Sequence, residues 1–191
     1  MCGFTYPHDL LEPLSDAAAL RYRPDPKGLR SAREAVEREY AARGATVDAE
    51  RIVLTASSSE SYAFLFKLLC DPGDEILVPR PSYPLFEYLA QISGVTLTPY
   101  DLLYDDGWRV GPLTRTPRTK AVMIVNPHNP TGRVYPRALV EALVGVAVKH
   151  RCYVLYDSVY QRLDYVGWFV NPAFANPEWR DWVVTLSGLS K

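Results

Sequence analysis

Lys191 follows an apolar run, Trp182 to Leu186, and a string of small residues, Ser187-Gly188-Leu189-Ser190. The run reads as a buried strand. A lysine just past the carboxyl end of a parallel strand stands where open α/β sheets bind ligands. Partly desolvated there, its amine can lose its proton and attack a carbonyl. A lone lysine is by default a solvated surface residue. Its companions upstream give the chemical reading its weight.

Thr55-Ala56-Ser57-Ser58-Ser59-Glu60 joins a strand-like stretch to a helix-like one. Ser57 is a good N-cap, and three hydroxyls beside the open amides of a first helical turn suit a phosphate. Ser57 and Glu60 also fit a capping box, so capping explains part of the pattern. Tyr83, in Pro81-Ser82-Tyr83-Pro84, follows the stretch Glu75 to Val78 and can lie flat on an aromatic ligand or simply pack. Asn126-Pro127-His128-Asn129-Pro130-Thr131-Gly132 is a rigid, non-repetitive loop. Asn129 offers an amide in fixed geometry, while His128 reads as incidental. Asp157 follows Cys152 to Tyr156, with Tyr160 one helical turn on, so both can face one ligand. A carboxylate at a buried strand end needs a positive partner or several hydrogen bonds; capping the next turn is the competing role. An anion cradle, an aromatic face, an amide, a carboxylate, a phenol and an amine are together what a phosphorylated pyridine aldehyde requires.

The elements that must hold these residues alternate. Helices are predicted over Gly28 to Arg43 (with Leu29, Ala32, Val36 and Tyr40 on one face), Ser57 to Cys70, Tyr83 to Ser93 and Pro136 to His150. The second carries apolar Tyr62, Phe64, Leu65, Leu68 and Leu69. Strands are predicted over Arg51 to Thr55, Glu75 to Val78, Val95 to Tyr100, Ala121 to Val125, Cys152 to Tyr156 and Trp182 to Leu186. Leu102 to Lys120 is loop-rich, with a short strand near Trp108 to Val110. Strands alternating with helices of ten or more residues imply an α/β fold, a mostly parallel sheet with helices on both faces.

Totals narrow the field. At 191 residues with 48% hydrophobic content, the chain is one domain or a piece of a larger one. A net charge of −1 argues against nucleic acid or a membrane surface as partner. No apolar run reaches the ~20 residues of a span, and the start lacks a signal-peptide pattern. Cys2, Cys70 and Cys152 suggest neither a disulfide frame nor a metal site. A cytoplasmic location is the default expectation.

In order and spacing, Asn126 to Gly132, Asp157-Ser158-Val159-Tyr160 and Ser187 to Lys191 resemble motifs of the fold-type I pyridoxal-phosphate enzymes, specifically the class I/II aminotransferases. Tyr22-Arg-Pro-Asp-Pro-Lys-Gly-Leu-Arg30 is similar to that family's opening segment, and the resemblance covers nearly the whole chain. It implies pyridoxal 5'-phosphate as cofactor, with an amino acid and a 2-oxo acid as substrates. With residues 1–27 read as an irregular segment from Pro7, Pro13, Pro24 and Pro26, it implies an incomplete aspartate-aminotransferase-like large domain over 28–191, without the carboxy-terminal small domain. By this resemblance Lys191 links covalently to the cofactor and shuttles the 1,3-proton. Asp157 keeps the pyridine nitrogen protonated, and Tyr160 and Asn129 hydrogen-bond the ring's phenolic oxygen. Tyr83 stacks on the ring. Ser57, Ser58 and Ser59, helped by Ser190, hold the phosphate. Tyr22 reaches the phosphate of a neighbouring subunit, which implies a homodimer.

Three departures stand out. The family commonly has a glycine in the phosphate turn, where this chain has three serines. Gly188 stands where serine is frequent. Family members also continue past the lysine, with a phosphate-binding arginine and a domain whose arginine clamps the substrate carboxylate. The expectation is a portion of a longer polypeptide, a truncated product or one half of a split protein, weak or inactive alone. C–S lyase or decarboxylase chemistry on the same cofactor, and a non-catalytic remnant, are the alternatives.

Overall fold

Among the described residues, four α-helices and six strands form where apolar stretches alternate with helix-length segments. The computed structural model describes residues 5, 7–104, 108–163 and 176–189. The helices are α1 Arg30–Ala42, α2 Ser58–Leu69, α3 Leu85–Ser93 and α4 Arg137–Lys149. The strands are β1 Glu75–Arg80, β2 Thr96–Tyr104, β3 Trp108–Val110, β4 Thr119–Val125, β5 Tyr153–Asp157 and β6 Val183–Leu186. The chain divides into two compact units, residues 1–54 and 55–191.

In the second unit the sheet order is β3-β2-β1-β4-β5-β6. All neighbours run parallel except β3, which returns antiparallel along β2. The alternation of side chains along each strand sorts the core into two layers. Leu77, Val122, Ile124, Val154 and Tyr156 pack with Val140, Leu143, Val144 and Ala147 of α4. Ile76, Val78, Ala121, Met123, Val125 and Leu155 pack with Tyr62 and Phe66 of α2 and with Phe86 and Ala90 of α3. Helices on both faces are what near-continuous apolar strands require. α3 ends at Gly94, whose φ of +68° places it in the left-handed region that closes helices.

The first unit is organised by a charge. Arg33 is the one fully buried residue of α1; of the expected apolar face, Ala32, Val36 and Tyr40 are half-buried and Leu29 is exposed. The Arg33 guanidinium donates to the carbonyls of Ala49 (2.8 Å) and Gly28 (3.1 Å) and to Asp25 Oδ2 (3.3 Å). Gly28 has φ +85°, and a Cβ there would meet Leu54 Cβ at 2.7 Å. Short 3₁₀ turns occupy His8–Ser15, Ala17–Leu20 and Ala49–Arg51.

The structure corrects several element boundaries. Arg51 to Thr55 is not a strand. Ile52 is extended, but the Leu54 N–H donates to the Lys27 carbonyl at 2.9 Å, and no ladder forms. β2 runs on to Tyr104, into the stretch expected to be loop, because β3 pairs with its last three residues. α3 begins at Leu85, two residues late, leaving Tyr83 in the preceding turn. On α2, Tyr62 is buried and Leu65 and Leu69 pack against the core, whereas Phe64 and Leu68 face outward.

Phe66 and Phe64 therefore separate core from surface on one helix. Phe66→Ala is expected to lower stability by about 3–5 kcal/mol. Phe64→Ala, at a position 57% exposed, is expected to stay within about 0.5 kcal/mol. Urea denaturation of the two variants checks the contrast.

Candidate active site

Parallel strands place their carboxyl ends on one rim, and the register fixes which residues meet there. Val125 of β4 pairs with Asp157 of β5, and Asp157 with Leu186 of β6. Asp157 is thus the last residue of its strand. The Ser158 N–H and Oγ both donate to the Leu186 carbonyl at 2.8 Å, tying the turn after β5 to the end of β6.

A cavity of about 240 Å³ opens at this rim. Among its lining residues are Ser58, Ser59, Tyr83, Asn129, Asp157 and Tyr160. The structure therefore brings six of the ten expected site residues together. Ser57 is not among the lining residues, because it is the N-cap of α2. Its Oγ accepts from the Glu60 N–H at 3.2 Å, and Glu60 Oε2 accepts from the Ala56 N–H at 2.7 Å. Tyr22 belongs to the first unit, where it is 92% exposed. Ser190 and Lys191 lie outside the described residues.

Asp157 forms part of the cavity wall and is 8% exposed. Its Oδ2 accepts from the Tyr62 hydroxyl at 2.5 Å, and its Oδ1 from the Val159 N–H at 2.9 Å. Burial raises its carboxyl above the ordinary 3.8, and these two donors oppose the rise. Burial, with the Asp157 charge second, pushes the Tyr62 phenol well above its ordinary 10.0, so Tyr62 remains a donor. No basic side chain among the described residues forms an ion pair with Asp157.

Sequence reasoning took Tyr62 for a core position of its helix and missed this contact. A signal was present: Tyr62 lies three and four residues beyond Ser59 and Ser58, hence on the same helix face. Tyr83, at 44% exposure, meets Phe86 edge-on at 5.7 Å, and Phe86 meets Tyr62 edge-on at 4.9 Å. All three rings line the cavity.

The loop after β4 divides its labour. Asn126 is structural: its Oδ1 accepts from the Tyr135 N–H at 2.9 Å, its Nδ2 donates to Tyr156 Oη at 2.9 Å, and its own N–H donates to the Asp157 carbonyl at 2.8 Å. His128 is structural too. Nδ1 lies 2.8 Å from Thr131 Oγ1, and the ring stacks with Tyr135 at 6.1 Å. Burial lowers His128 to about 4, against a slight opposing effect of the Pro81 carbonyl, and Nε2 lacks a partner in hydrogen-bond geometry. Asn129 alone of this loop reaches the cavity.

The donor set fits a pyridine phosphate. Ser58 and Ser59 sit ahead of the first helical hydrogen bond of α2, from the Ser61 N–H to the Ser57 carbonyl, where amides and the helix dipole favour an anion. Asp157, buried with two donors, suits an N–H⁺.

The family model "Aminotransferase class I and II" matches residues 10–191. The chain is 32% identical over 176 residues to an aspartate/prephenate aminotransferase of Thermus thermophilus, covering 90% of this chain and 45% of that protein. It is 34% identical over 172 residues to an arginine–pyruvate transaminase of Pseudomonas aeruginosa, covering 87% and 44%. An alanine aminotransferase structure from Pyrococcus furiosus superposes with a TM-score of 0.86 at 31% identity, over 99% of this chain and 49% of that one. The chain thus spans about half the length of the curated relatives it matches. No described helix is long and apolar enough to cross a membrane.

A raised carboxyl has a defined pH signature. Asp157 binds its proton more tightly folded than unfolded, so its contribution to stability is fully present below the ordinary 3.8 and is lost as pH rises through the raised value. Asp157→Asn, which never carries the charge, should gain on the native chain over that interval. Urea denaturation from pH 3 to 7 (roughly, the carboxylate range) measures the difference; a pH-independent gap would contradict it.

Proposed function

Because this chain belongs to the class I and II aminotransferase family, we propose that it builds the cofactor site of a pyridoxal-phosphate-dependent aminotransferase acting between an amino acid and a 2-oxo acid. The observation that supports this most is the convergence of Ser58, Ser59, Tyr83, Asn129, Asp157 and Tyr160 on one cavity at one sheet rim.

When bound, pyridoxal phosphate supplies an aldehyde for amino groups and an electron-withdrawing ring. Ser58 and Ser59, with the first amides of α2, bind the phosphate. Tyr83 covers one face of the ring and excludes water. Asp157 holds a proton on the ring nitrogen, and Asn129 and Tyr160 donate hydrogen bonds to the phenolic oxygen. Lys191 would hold the cofactor through its amine and would serve as the proton-carrying base, with Ser190 assisting at the phosphate. Ser57 contributes by capping α2. Residues 28–191 constitute part of a cofactor-binding domain. Tyr22 completes the phosphate site of a second copy in a homodimer. A cytoplasmic location accords with this chemistry.

Three measurements test the assignment. Added pyridoxal phosphate should give a visible absorption band that is absent in Lys191→Ala. Ser58→Ala and Ser59→Ala should each weaken cofactor binding about tenfold, the loss of one hydrogen bond to a charged group. In the full-length enzyme, amino transfer should require both an amino acid and a 2-oxo acid. Ammonia and pyruvate released from a sulfur amino acid without an acceptor would replace the assignment by a lyase.

A further inference from the structure

We propose that Tyr62 is a positioning residue for the cofactor's ring nitrogen, acting through Asp157: its hydroxyl fixes one carboxylate oxygen, so that the group stays ionised and its remaining lone pairs face the ring. The proposal rests on the cofactor reading above.

The geometry separates this role from ordinary packing. Tyr62 is 2% exposed and wedged between Phe66, at 6.0 Å, and Phe86, at 4.9 Å. Its ring cannot swing away without opening the core. The hydroxyl ends on Asp157 Oδ2 at 2.5 Å, while the Val159 N–H holds Oδ1 at 2.9 Å. Each oxygen keeps further acceptor capacity. With one donor on each oxygen, the carboxylate plane is set before a ligand enters. Of the side chains lining the cavity, Tyr62, Tyr83 and Tyr160 carry the other titratable groups, and the Tyr62 hydroxyl is hydrogen-bonded to Asp157.

The chemistry follows from a competition for one proton. A carboxylate and a pyridine nitrogen in contact share a proton, and the weaker base loses it. A hydrogen bond donated to the carboxylate makes it the weaker base, so the proton remains on the ring. Remove that donor and the carboxylate becomes more basic and less firmly oriented. The ring then shifts toward its unprotonated form, a poorer electron sink.

The test uses two variants of opposite sign. Tyr62→Phe keeps the shape and deletes the donor. Replacing Tyr62 by 3-fluorotyrosine keeps the shape and strengthens the donor, so the comparison survives if the phenylalanine variant fails to fold. Two readouts are taken: the titration of ¹³C-labelled Asp157 in the unloaded protein, and the ¹⁵N shift of the ring nitrogen in protein loaded with labelled pyridoxal phosphate. Tyr62→Phe should raise the Asp157 midpoint by about one pH unit and move the ring shift toward the unprotonated value, with the fluorinated residue moving both the other way. An unchanged Asp157 midpoint overturns the proposal. So does a moved midpoint with an unchanged ring shift, provided Asp157→Asn does alter that shift. If Asp157→Asn leaves the ring shift unaltered as well, it is the cofactor reading that fails, and this proposal falls with it.

Discussion

Taking the Asp157 carboxylate out of water costs several kcal/mol unless donors replace the solvent. The second unit is arranged around supplying them. One donor comes from the turn that follows β5, the Val159 N–H. The other comes from α2, which must lie against the layer of Met123, Val125 and Leu155 for Tyr62 to reach the end of β5. The same placement brings the start of α2, with Ser58 and Ser59, to the same cavity. The contact that stabilises the buried charge and the helix end suited to an anion are thus two consequences of one packing arrangement.

Strand direction does the rest. Because β1, β4, β5 and β6 are parallel, the segments after them all emerge at one rim. Each of these segments is irregular for a local reason. Pro81 and Pro84 bracket Tyr83, Asn126 to Gly132 carries two prolines, and Ser158 binds back to Leu186. Side chains on such short, tied segments have little freedom to leave the cavity, which is why function gathers on loops held by a rigid sheet.

Much of this was legible in the sequence, for reasons that also explain what was not. Within β4 and β5, residues 121–125 and 153–156 are uninterrupted apolar runs that end at asparagine and aspartate, the signature of a strand buried on both faces. Asp157 and Tyr160 could be paired because three residues span one turn whichever turn follows. Arg51 to Thr55 has the same apolar look, but Val53 is 59% exposed, so hydrophobicity there reflects something other than a sheet. Ser57, Ser58 and Ser59 could not be ranked as ligands by type, since capping and ligand binding use the same hydroxyl; the capping box marked Ser57 as a cap, and the structure shows that cap made. Tyr62 stayed hidden because a tyrosine on the apolar face of a helix is ordinarily core, and its partner lies 95 residues away in sequence.

The loop 126–132 shows how such a site is made ready in advance. An irregular loop loses more chain entropy on ordering than it regains from its own contacts unless something anchors it. Asn126 anchors one end by three hydrogen bonds, two to Tyr156 and Asp157 of β5 and one to Tyr135. The interior is held by the His128 ring on Thr131, by the His128 N–H on the Arg133 carbonyl and by the Gly132 N–H on the His128 carbonyl, each at 2.8 Å. Gly132 adopts φ +68° to close the turn. His128, lowered by burial to about 4, is neutral near pH 7, so it contributes shape and hydrogen bonding and adds no charge beside Asp157. None of these interactions uses Asn129. The loop is therefore fixed by residues that never face the cavity, and the one amide that does is held in place before any ligand arrives, which keeps the ordering cost out of binding.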